Sequence, residues 1–207
     1  MRWPLLIELC YRLVQTNPME QLLKLLNDYH PVRPELQLAL LNRLPREIHR
    51  KNKLILEAGE VCDWIAFVEK GLLKNYYETE DGTERVIWFH MEGDVISSMK
   101  SYYKLSPSKL SIRTLEETHI RRIRRVELNE MYEKYTEFNI NGRKITERYC
   151  GLSEDHIILM GMPPKERYKI LQQEYPRLLN NPRIKDYMLA AFLGIDKATL
   201  SRYRNGK

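Results

Sequence analysis

The spacing of hydrophobic residues divides the chain into three stretches, of which the first is helical. Over residues 19–45, apolar side chains recur at the three- and four-residue intervals of one helix face: Leu22, Leu25, Leu26 and Tyr29. Pro31 and Pro34 interrupt this pattern. We therefore expect a helix before the prolines and a second, shorter helix over Leu36–Leu44.

The second stretch, from Lys51 to about Arg125, has the pattern of β-strands. Short apolar runs alternate with turn residues, at 54–56, 64–68, 72–77, 85–90, 112–115 and 119–123. Gly59, Gly71, Gly82 and Gly93 separate the early runs at nearly even intervals. This rhythm is typical of an all-β sandwich or barrel. The Asp-Gly pair that ends at Gly82 also predicts a hairpin, since such turns require positive φ.

In the third stretch, which begins at Leu128, helical periodicity returns. Alternating steps of four and three residues form a seam over about three heptads: Phe138, Gly142, Ile145, Tyr149, Leu152, His156 and Leu159. We interpret this seam as a two-stranded coiled coil that joins two subunits. The alternative is a helix that packs on its own domain.

Prolines divide the rest of the chain into further helices. Pro163 and Pro164 end the long helix. A helix is expected over Lys165–Leu179, followed by a break at residues 180–182. The last helical segment begins after this break, at Arg183.

The net charge of +6 is concentrated at the C-terminal end. Residues 163–207 hold ten basic and four acidic side chains, whereas residues 1–162 are balanced. A basic segment attached to a neutral one indicates a polyanionic partner. A basic, solvated tail is the simpler alternative, but the apolar residues within the segment argue against it.

Two features bear on location in the cell. No run of 18 apolar residues occurs, so we expect no membrane span. The apolar stretch Pro4–Val14 is interrupted by Glu8 and Arg12, and it is interpreted as a surface helix rather than a signal peptide. Met19 is an alternative start, in which case residues 1–18 are dispensable.

The cysteines also favour the cytoplasm. Cys10, Cys62 and Cys150 are far apart and odd in number, which fits a reducing compartment better than disulfides or a metal site. We therefore expect a cytoplasmic protein without a metal.

The C-terminal segment has the spacing of a helix-turn-helix. Gly194 would allow the positive φ of the turn, and Asp196 would cap the second helix. The expected core positions are Leu189, Ala190, Leu193, Ile195, Leu200 and Tyr203. An ordinary helical hairpin is the alternative.

The other side of the second helix supplies the candidate DNA contacts. These residues are Lys197, Ala198, Thr199, Ser201, Arg202 and Arg204. The start of such a helix enters the major groove, where arginine can bind guanine with two hydrogen bonds. We assign base contact to Arg202 and phosphate contact to Lys197 and Thr199.

The order of β-roll, heptad helix and a final helix ending ATLSRYR resembles the Crp/Fnr family of bacterial transcription regulators, over residues 20–207. The resemblance implies an α+β protein with N-terminal helices, a jelly-roll-like β-roll, a long dimerisation helix and an all-α helix-turn-helix domain. The corresponding divisions are residues 1–135, 136–162 and 163–207. It also implies a homodimer, with Phe138, Ile145, Tyr149, Leu152, His156 and Leu159 at the interface. The implied partners are double-stranded DNA and RNA polymerase, with no membrane.

The same resemblance places an effector pocket at Gly93, Asp94, Val95, Ser108 and Lys109. Asp94 replaces the glutamate that binds ribose in cyclic-nucleotide-binding members, and Ser108 stands where their phosphate-binding arginine lies. A buried phosphate would therefore lose its bidentate partner, and Lys109 differs from arginine in geometry. We expect no binding of cAMP or cGMP and no required cofactor, while another small effector remains open.

Haem binding also remains open, because four of the five histidines are candidate ligands: His49, His90, His119 and His156. No pattern in the sequence identifies any of them as a ligand.

No enzyme is predicted, because the sequence contains no P-loop, nucleophile elbow or zinc-protease motif. Three alternatives to the DNA-binding regulator with a degenerate sensor stay open. They are a regulator with a functional effector site, a protein-interaction module, and an enzyme on a cupin-like barrel. The barrel enzyme would need a metal cluster, and the strands offer only His90 and His119.

Overall fold

The computed structural model describes residues 18–205. Two four-stranded antiparallel sheets form a β-roll, with strand orders β1-β8-β3-β6 and β2-β7-β4-β5. The strands are β1 (Arg46–His49), β2 (Leu54–Leu56), β3 (Trp64–Lys70), β4 (Leu73–Glu78), β5 (Glu84–His90), β6 (Val95–Ile96), β7 (Ser111–Thr114) and β8 (Thr118–Arg124).

The core of the β-roll lies between the two sheets, where side chains alternate inward along each strand. Val68, Ile112 and Ile120 are fully buried there. The six strands that the sequence predicts are confirmed, with ends that differ by one or two residues. The hairpin is confirmed as well: β4 pairs with β5, and Gly82 has a φ of 78°.

Helices precede and follow the β-roll along the chain, and one lies between β6 and β7. They are α1 (Pro18–Tyr29), α2 (Pro34–Arg43), α3 (Met99–Lys104), α4 (Arg125–Lys134), α5 (Phe138–Gly161), α6 (Pro164–Glu174), α7 (Pro176–Leu179), α8 (Asp186–Leu193) and α9 (Lys197–Arg204). The predicted N-terminal surface helix over Pro4–Val14 lies outside the described residues. No helix between residues 18 and 205 is long and apolar enough to cross a bilayer.

One predicted helix is wrong in its extent. Instead of a single helix over Lys165–Leu179, α6 ends at Glu174 and α7 begins at Pro176. Proline has no amide hydrogen to continue α6 and disfavours a helical backbone at the residue before it. Accordingly, Tyr175 has φ −123° and ψ 46°.

The long helix α5 packs along its own chain. Phe138 is buried with the N-terminal helices, and Leu159 is buried with the C-terminal ones. Between them, the Tyr149 hydroxyl accepts a hydrogen bond of 2.8 Å from the backbone N–H of Val95. The seam predicted from the sequence therefore contacts the β-roll and helices of the same subunit.

Candidate nucleic-acid interface and effector cavity

The C-terminal helices α8 and α9 form a helix-turn-helix. Gly194 ends α8 in the left-handed conformation, with φ 64°, so the chain reverses there without strain on a side chain. The backbone N–H of Ile195 donates to the carbonyl of Ala190 at 3.0 Å and fixes the turn. Leu193 and Leu200 are fully buried between the two helices and the rest of the unit.

The start of α9 is held by Asp196. Its carboxylate accepts from the backbone N–H of Thr199 at 2.8 Å and from the Thr199 hydroxyl at 2.7 Å. These bonds to the charged form lower the pKa of Asp196 from its ordinary value. The carboxylate thus satisfies a free donor of the first turn and orients the helix that follows.

One stripe of α9 is open to solvent, and it includes three of the predicted DNA contacts. Ala198, Ser201 and Arg202 are exposed, and the last two follow Ala198 by three and four residues on one face. The Arg202 guanidinium donates to the Thr199 hydroxyl at 2.8 Å, which extends the arginine along the helix toward its start. Asn205 continues the stripe at the end of α9, and the sequence prediction missed it although the three- to four-residue spacing pointed to it.

The remaining predicted contacts lie toward α8. Arg204 forms an ion pair of 3.0 Å with Asp186. Together with Lys185, Lys197 and Tyr187, these side chains line a shallow cleft beside the helix-turn-helix. Lys197 is exposed, whereas the guanidinium of Arg204 is engaged within the unit.

The helix-turn-helix unit docks on strand β5 of the β-roll. The Phe192 ring of α8 lies 6.1 Å from the ring of Trp88 and 6.0 Å from that of Phe89. His156 of α5 completes the cluster, with its ring 5.1 Å from Phe192 and 6.3 Å from Trp88. The helix-turn-helix unit, the long helix and the β-roll therefore meet at one aromatic cluster.

Charged groups join the same two units beside this cluster. The Arg183 guanidinium donates to both carboxylate oxygens of Glu92, at 2.8 and 3.0 Å, and to Glu116 at 2.9 Å. The pKa of Glu92 lies below its ordinary value. Partial burial alone would raise this pKa, but the hydrogen bonds from Arg183 and from backbone N–H groups lower it by more. Bidentate pairing of this kind restricts the orientation of the two units.

A cavity of about 720 Å³ lies within the β-roll, and α5 and the N-terminal helices border it. Of the pocket residues expected from the sequence, Val95, Ser108 and Lys109 line it, but Gly93 and Asp94 do not. The Asp94 carboxylate instead accepts from the backbone N–H of Met91 at 2.8 Å. Burial raises the pKa of Asp94.

Hydroxyl groups occupy the position where the sequence comparison placed a phosphate-binding arginine. The Ser108 hydroxyl lies 2.8 Å from that of Ser98 and donates to the carbonyl of Leu110 at 2.7 Å. Ser108 is buried, and its neighbour Lys109 is exposed. The buried polar groups at this end of the cavity are thus neutral and already paired.

Three other polar side chains of the cavity wall have buried atoms without a hydrogen-bond partner. Within residues 18–205, no hydrogen-bond partner reaches Asn75 Oδ1, either ring nitrogen of His90 or Nδ1 of His156. Burial lowers the pKa of His90 to about 3 and also lowers that of His156, so both rings are neutral at pH 7. The sequence prediction missed Asn75, because an asparagine within a strand carries no signal of what it faces.

The other two histidines raised by the sequence lie elsewhere. His49 pairs with Glu47 at 3.0 Å and His119 with Glu117 at 3.4 Å. Neither lines the cavity. In the part of the chain that the structure describes, no three histidine, cysteine, aspartate or glutamate side chains cluster as metal ligands would.

Comparison with known proteins gives the domain and the fold. Residues 46–135 match the model of the cyclic nucleotide-binding domain family. The chain is similar to FixK2 from Bradyrhizobium japonicum, with a TM-score of 0.65 and 22% identity over 79% of this chain and 83% of that chain. No curated protein matches this chain.

Two further solved structures share the fold. A CooA mutant from Carboxydothermus hydrogenoformans has a TM-score of 0.68 and 18% identity, over 93% of this chain and 84% of that chain. A protein from Eubacterium rectale, described as a transcriptional regulator of the Crp/Fnr family, has a TM-score of 0.62 and 15% identity, over 86% and 87%. The likeness extends from the β-roll through the C-terminal helices.

Proposed function

We propose that this chain is a homodimeric transcription regulator that binds double-stranded DNA through α9. The proposal is supported by the match of residues 46–135 to the cyclic nucleotide-binding domain family and by the fold shared with a Crp/Fnr regulator. The observation that carries the proposal is the open stripe of Ala198, Ser201 and Arg202 on a helix whose other side is buried. A capped helix with exposed small and basic side chains fits the major groove. RNA polymerase is a further partner in this proposal, the location is the cytoplasm, and no enzymatic activity is included.

The charge of the C-terminal unit supports a phosphate backbone as partner. Arg183 and Arg204 are engaged in ion pairs within the chain. Lys165, Lys169, Lys185, Lys197 and Arg202 are exposed. Exposed basic groups around a recognition helix neutralise phosphates and position it on the duplex.

The proposed dimer uses a face of α5 that the seam prediction did not include. Phe138, His156 and Leu159 are buried within the subunit, so they do not project from its surface. Next to His156 on the same helix, Ile157 and Ile158 are 71% and 59% exposed, and Ile157 also borders the cavity. Large apolar side chains that project from a long helix favour contact with a second copy.

We propose further that the β-roll does not respond to cyclic nucleotides. A cyclic phosphate requires a buried cationic or backbone donor set. Ser108 and Ser98 offer paired hydroxyl groups instead, and Lys109, at the edge of the cavity, is exposed. Calorimetry with cAMP should accordingly detect no binding tighter than about 10 µM, on the order of −7 kcal/mol.

Selection from random duplexes tests the function itself. A dimer places two recognition helices in successive major grooves roughly 34 Å apart, so the selected sequences should form a near-palindrome. An excess of unlabelled random DNA should not displace the selected duplex at moderate salt. Enrichment of no sequence over several rounds would contradict the proposal.

A further inference from the structure

The cavity in the β-roll has the size of a site for a small organic ligand. Its volume of about 720 Å³ lies within the range of roughly 300–1,000 Å³ that such sites occupy. Most of its wall is apolar, with side chains from the N-terminal helices, the sheets and α5 that include Leu26, Phe67, Ile123 and Leu152. An apolar wall of this extent favours an apolar body in the ligand.

The polar groups of the wall are concentrated and unpaired. Asn75, His90 and His156 are each more than nine-tenths buried, at 6%, 4% and 8% exposure. Asn75 Oδ1 is an acceptor without a donor, since only the amide nitrogen is used, in a bond of 3.3 Å to the carbonyl of Ser97. Buried polar atoms in folded proteins are satisfied by protein, water or ligand.

Strand pairing brings two of these groups within reach of one molecule. Asn75 lies opposite Trp88, and His90 follows Trp88 by two residues on the same face of β5. Diagonal neighbours of this kind are about 7–8 Å apart at Cα, within reach of one planar ring system. The third group, His156, contacts Trp88 edge-on from α5.

The charges around the cavity argue against a buried anion. Four basic side chains border it, and no acidic side chain of the described residues does. Lys100 and Lys109 are exposed, and the Arg121 guanidinium pairs with Glu69. Arg125 lies over the Tyr102 ring, with its Cζ 5.8 Å from the centroid. An anion in the cavity would therefore meet cations that are exposed or already engaged with other side chains, which would compensate poorly for its lost hydration.

From these observations we propose that the cavity binds an uncharged, mainly apolar aromatic molecule that donates a hydrogen bond to Asn75 Oδ1. This inference rests on the proposed function, because it names the effector class of the same regulator. Such a molecule would touch Trp88 and His156, and both rings contact Phe192 of the DNA-binding unit. Occupancy of the cavity would thus act on the cluster where the three parts of the chain meet.

Naphthol, its methyl ether and naphthoate form a matched set of probes for this site. All three share the ring system, but only naphthol is an uncharged donor. Calorimetry on the full-length protein at pH 7 should show binding of naphthol. The ether should bind about tenfold more weakly, because the Asn75 acceptor would stay unpaired. Naphthoate should bind more weakly than naphthol by at least the same factor.

Two variants distinguish the proposed hydrogen bond from nonspecific hydrophobic binding. Asn75→Leu keeps the side-chain volume but removes the acceptor, so naphthol and its ether should bind with equal affinity. Asn141→Leu is the control, since Asn141 is equally buried and has an unpaired Oδ1, yet does not line the cavity. This variant should keep the tenfold preference. A circular dichroism spectrum and unfolding curve would establish that both variants fold.

Several results would overturn the inference. They are tighter binding of naphthoate or cAMP than of naphthol, no binding of naphthol, or equal affinity for naphthol and its ether in the unmodified protein. A preference that survives Asn75→Leu would contradict the assigned acceptor. DNA selection on the same preparations without naphthol keeps the two proposals distinct. If the protein selects a DNA sequence but does not bind naphthol, the proposed regulator function is unaffected and the proposed ligand class is wrong.

Discussion

At the scale of single residues, His90 has the surroundings with the clearest consequence for stability. Its ring is buried in the cavity wall without a hydrogen-bond partner among the described residues. Burial lowers its pKa from 6.5 to about 3, because the charged form would lose hydration. The unfolded chain therefore binds a proton at this residue at a pH where the folded chain does not.

We predict that this difference makes stability fall in acid. The contribution of His90 to the free energy of unfolding is fully present above pH 6.5. It is lost progressively as the pH falls from 6.5 toward 3, because the unfolded chain is protonated there first. Its slope is at most about 1.4 kcal/mol per pH unit. Urea unfolding of the unmodified protein and of His90→Leu, at intervals between pH 7 and 4, should show that slope as the difference between the two.

Asn75→Leu serves as the control in this series. It alters the same cavity wall but removes no titrating group, so its pH dependence should match that of the unmodified protein. Parallel curves for His90→Leu and the unmodified protein would mean that the ring is not held neutral by burial.

Residues whose role is local were predictable from the sequence, and those whose role depends on a distant partner were not. Gly194 and Asp196 act on the backbone within three residues, and both take the predicted turn and capping positions. The ion pair of Arg204 with Asp186 on the neighbouring helix was not predicted, and the contact of Arg204 with DNA stays a prediction. Asn75 gained its importance only from the pairing of β4 with β5.

At the scale of elements, periodicity identified buried faces but not what covers them. The heptad spacing of α5 correctly marks an apolar side, yet an intersubunit seam and an intrasubunit one have the same spacing. Here the β-roll and the C-terminal helices cover it. The strands β1 and β6 were missed, because β1 contains a single apolar residue and β6 consists of only two residues.

Two glycines of α5 should respond to the same substitution in opposite directions. At Gly142 an added Cβ would clash with the Tyr132 hydroxyl oxygen, and the Tyr132 ring is packed against Phe138 at 5.1 Å. Gly142→Ala should therefore destabilise the protein by about 1–3 kcal/mol. An added Cβ at Gly151 meets nothing within 4 Å, so Gly151→Ala should stabilise by about 0.5–1 kcal/mol.

Urea midpoints measured at one protein concentration would compare the two variants. Stabilisation by Gly142→Ala would show that α5 does not approach α4 as closely as the structure has it. Destabilisation by Gly151→Ala would show that this face of α5 is covered by something that a methyl group disturbs.

For the molecule as a whole, we propose that two subunits associate through the exposed side of α5 at Ile157 and Ile158. We predict that replacing both Ile157 and Ile158 by Glu gives a monomer, because four carboxylates would face one another across the two-fold contact. Ile48→Glu is the control, since Ile48 is 61% exposed on β1 and should leave the dimer intact. Light scattering at micromolar concentration measures the mass.

The result bears directly on the proposed interface. If the unmodified protein is a monomer, the proposed dimer is wrong. A dimer that persists in the double variant would place the contact elsewhere on the surface.

We propose that α9 reads the sequence of DNA, and substitution of Arg202 and of Lys197 tests this role directly. Both side chains are exposed on α9, but only Arg202 belongs to the stripe with Ala198 and Ser201. A bidentate contact of Arg202 with guanine is worth about 1–3 kcal/mol per half-site, whereas a phosphate contact of Lys197 carries no sequence information.

Selection on random duplexes, repeated at two salt concentrations for Arg202→Ala and Lys197→Ala, separates these roles. The account predicts that Arg202→Ala relaxes the preference at one position of each half-site. It predicts that Lys197→Ala weakens all sequences alike and reduces the salt dependence by about one unit per half-site. An Arg202→Ala protein that binds more weakly but selects the unchanged sequence would contradict the claim.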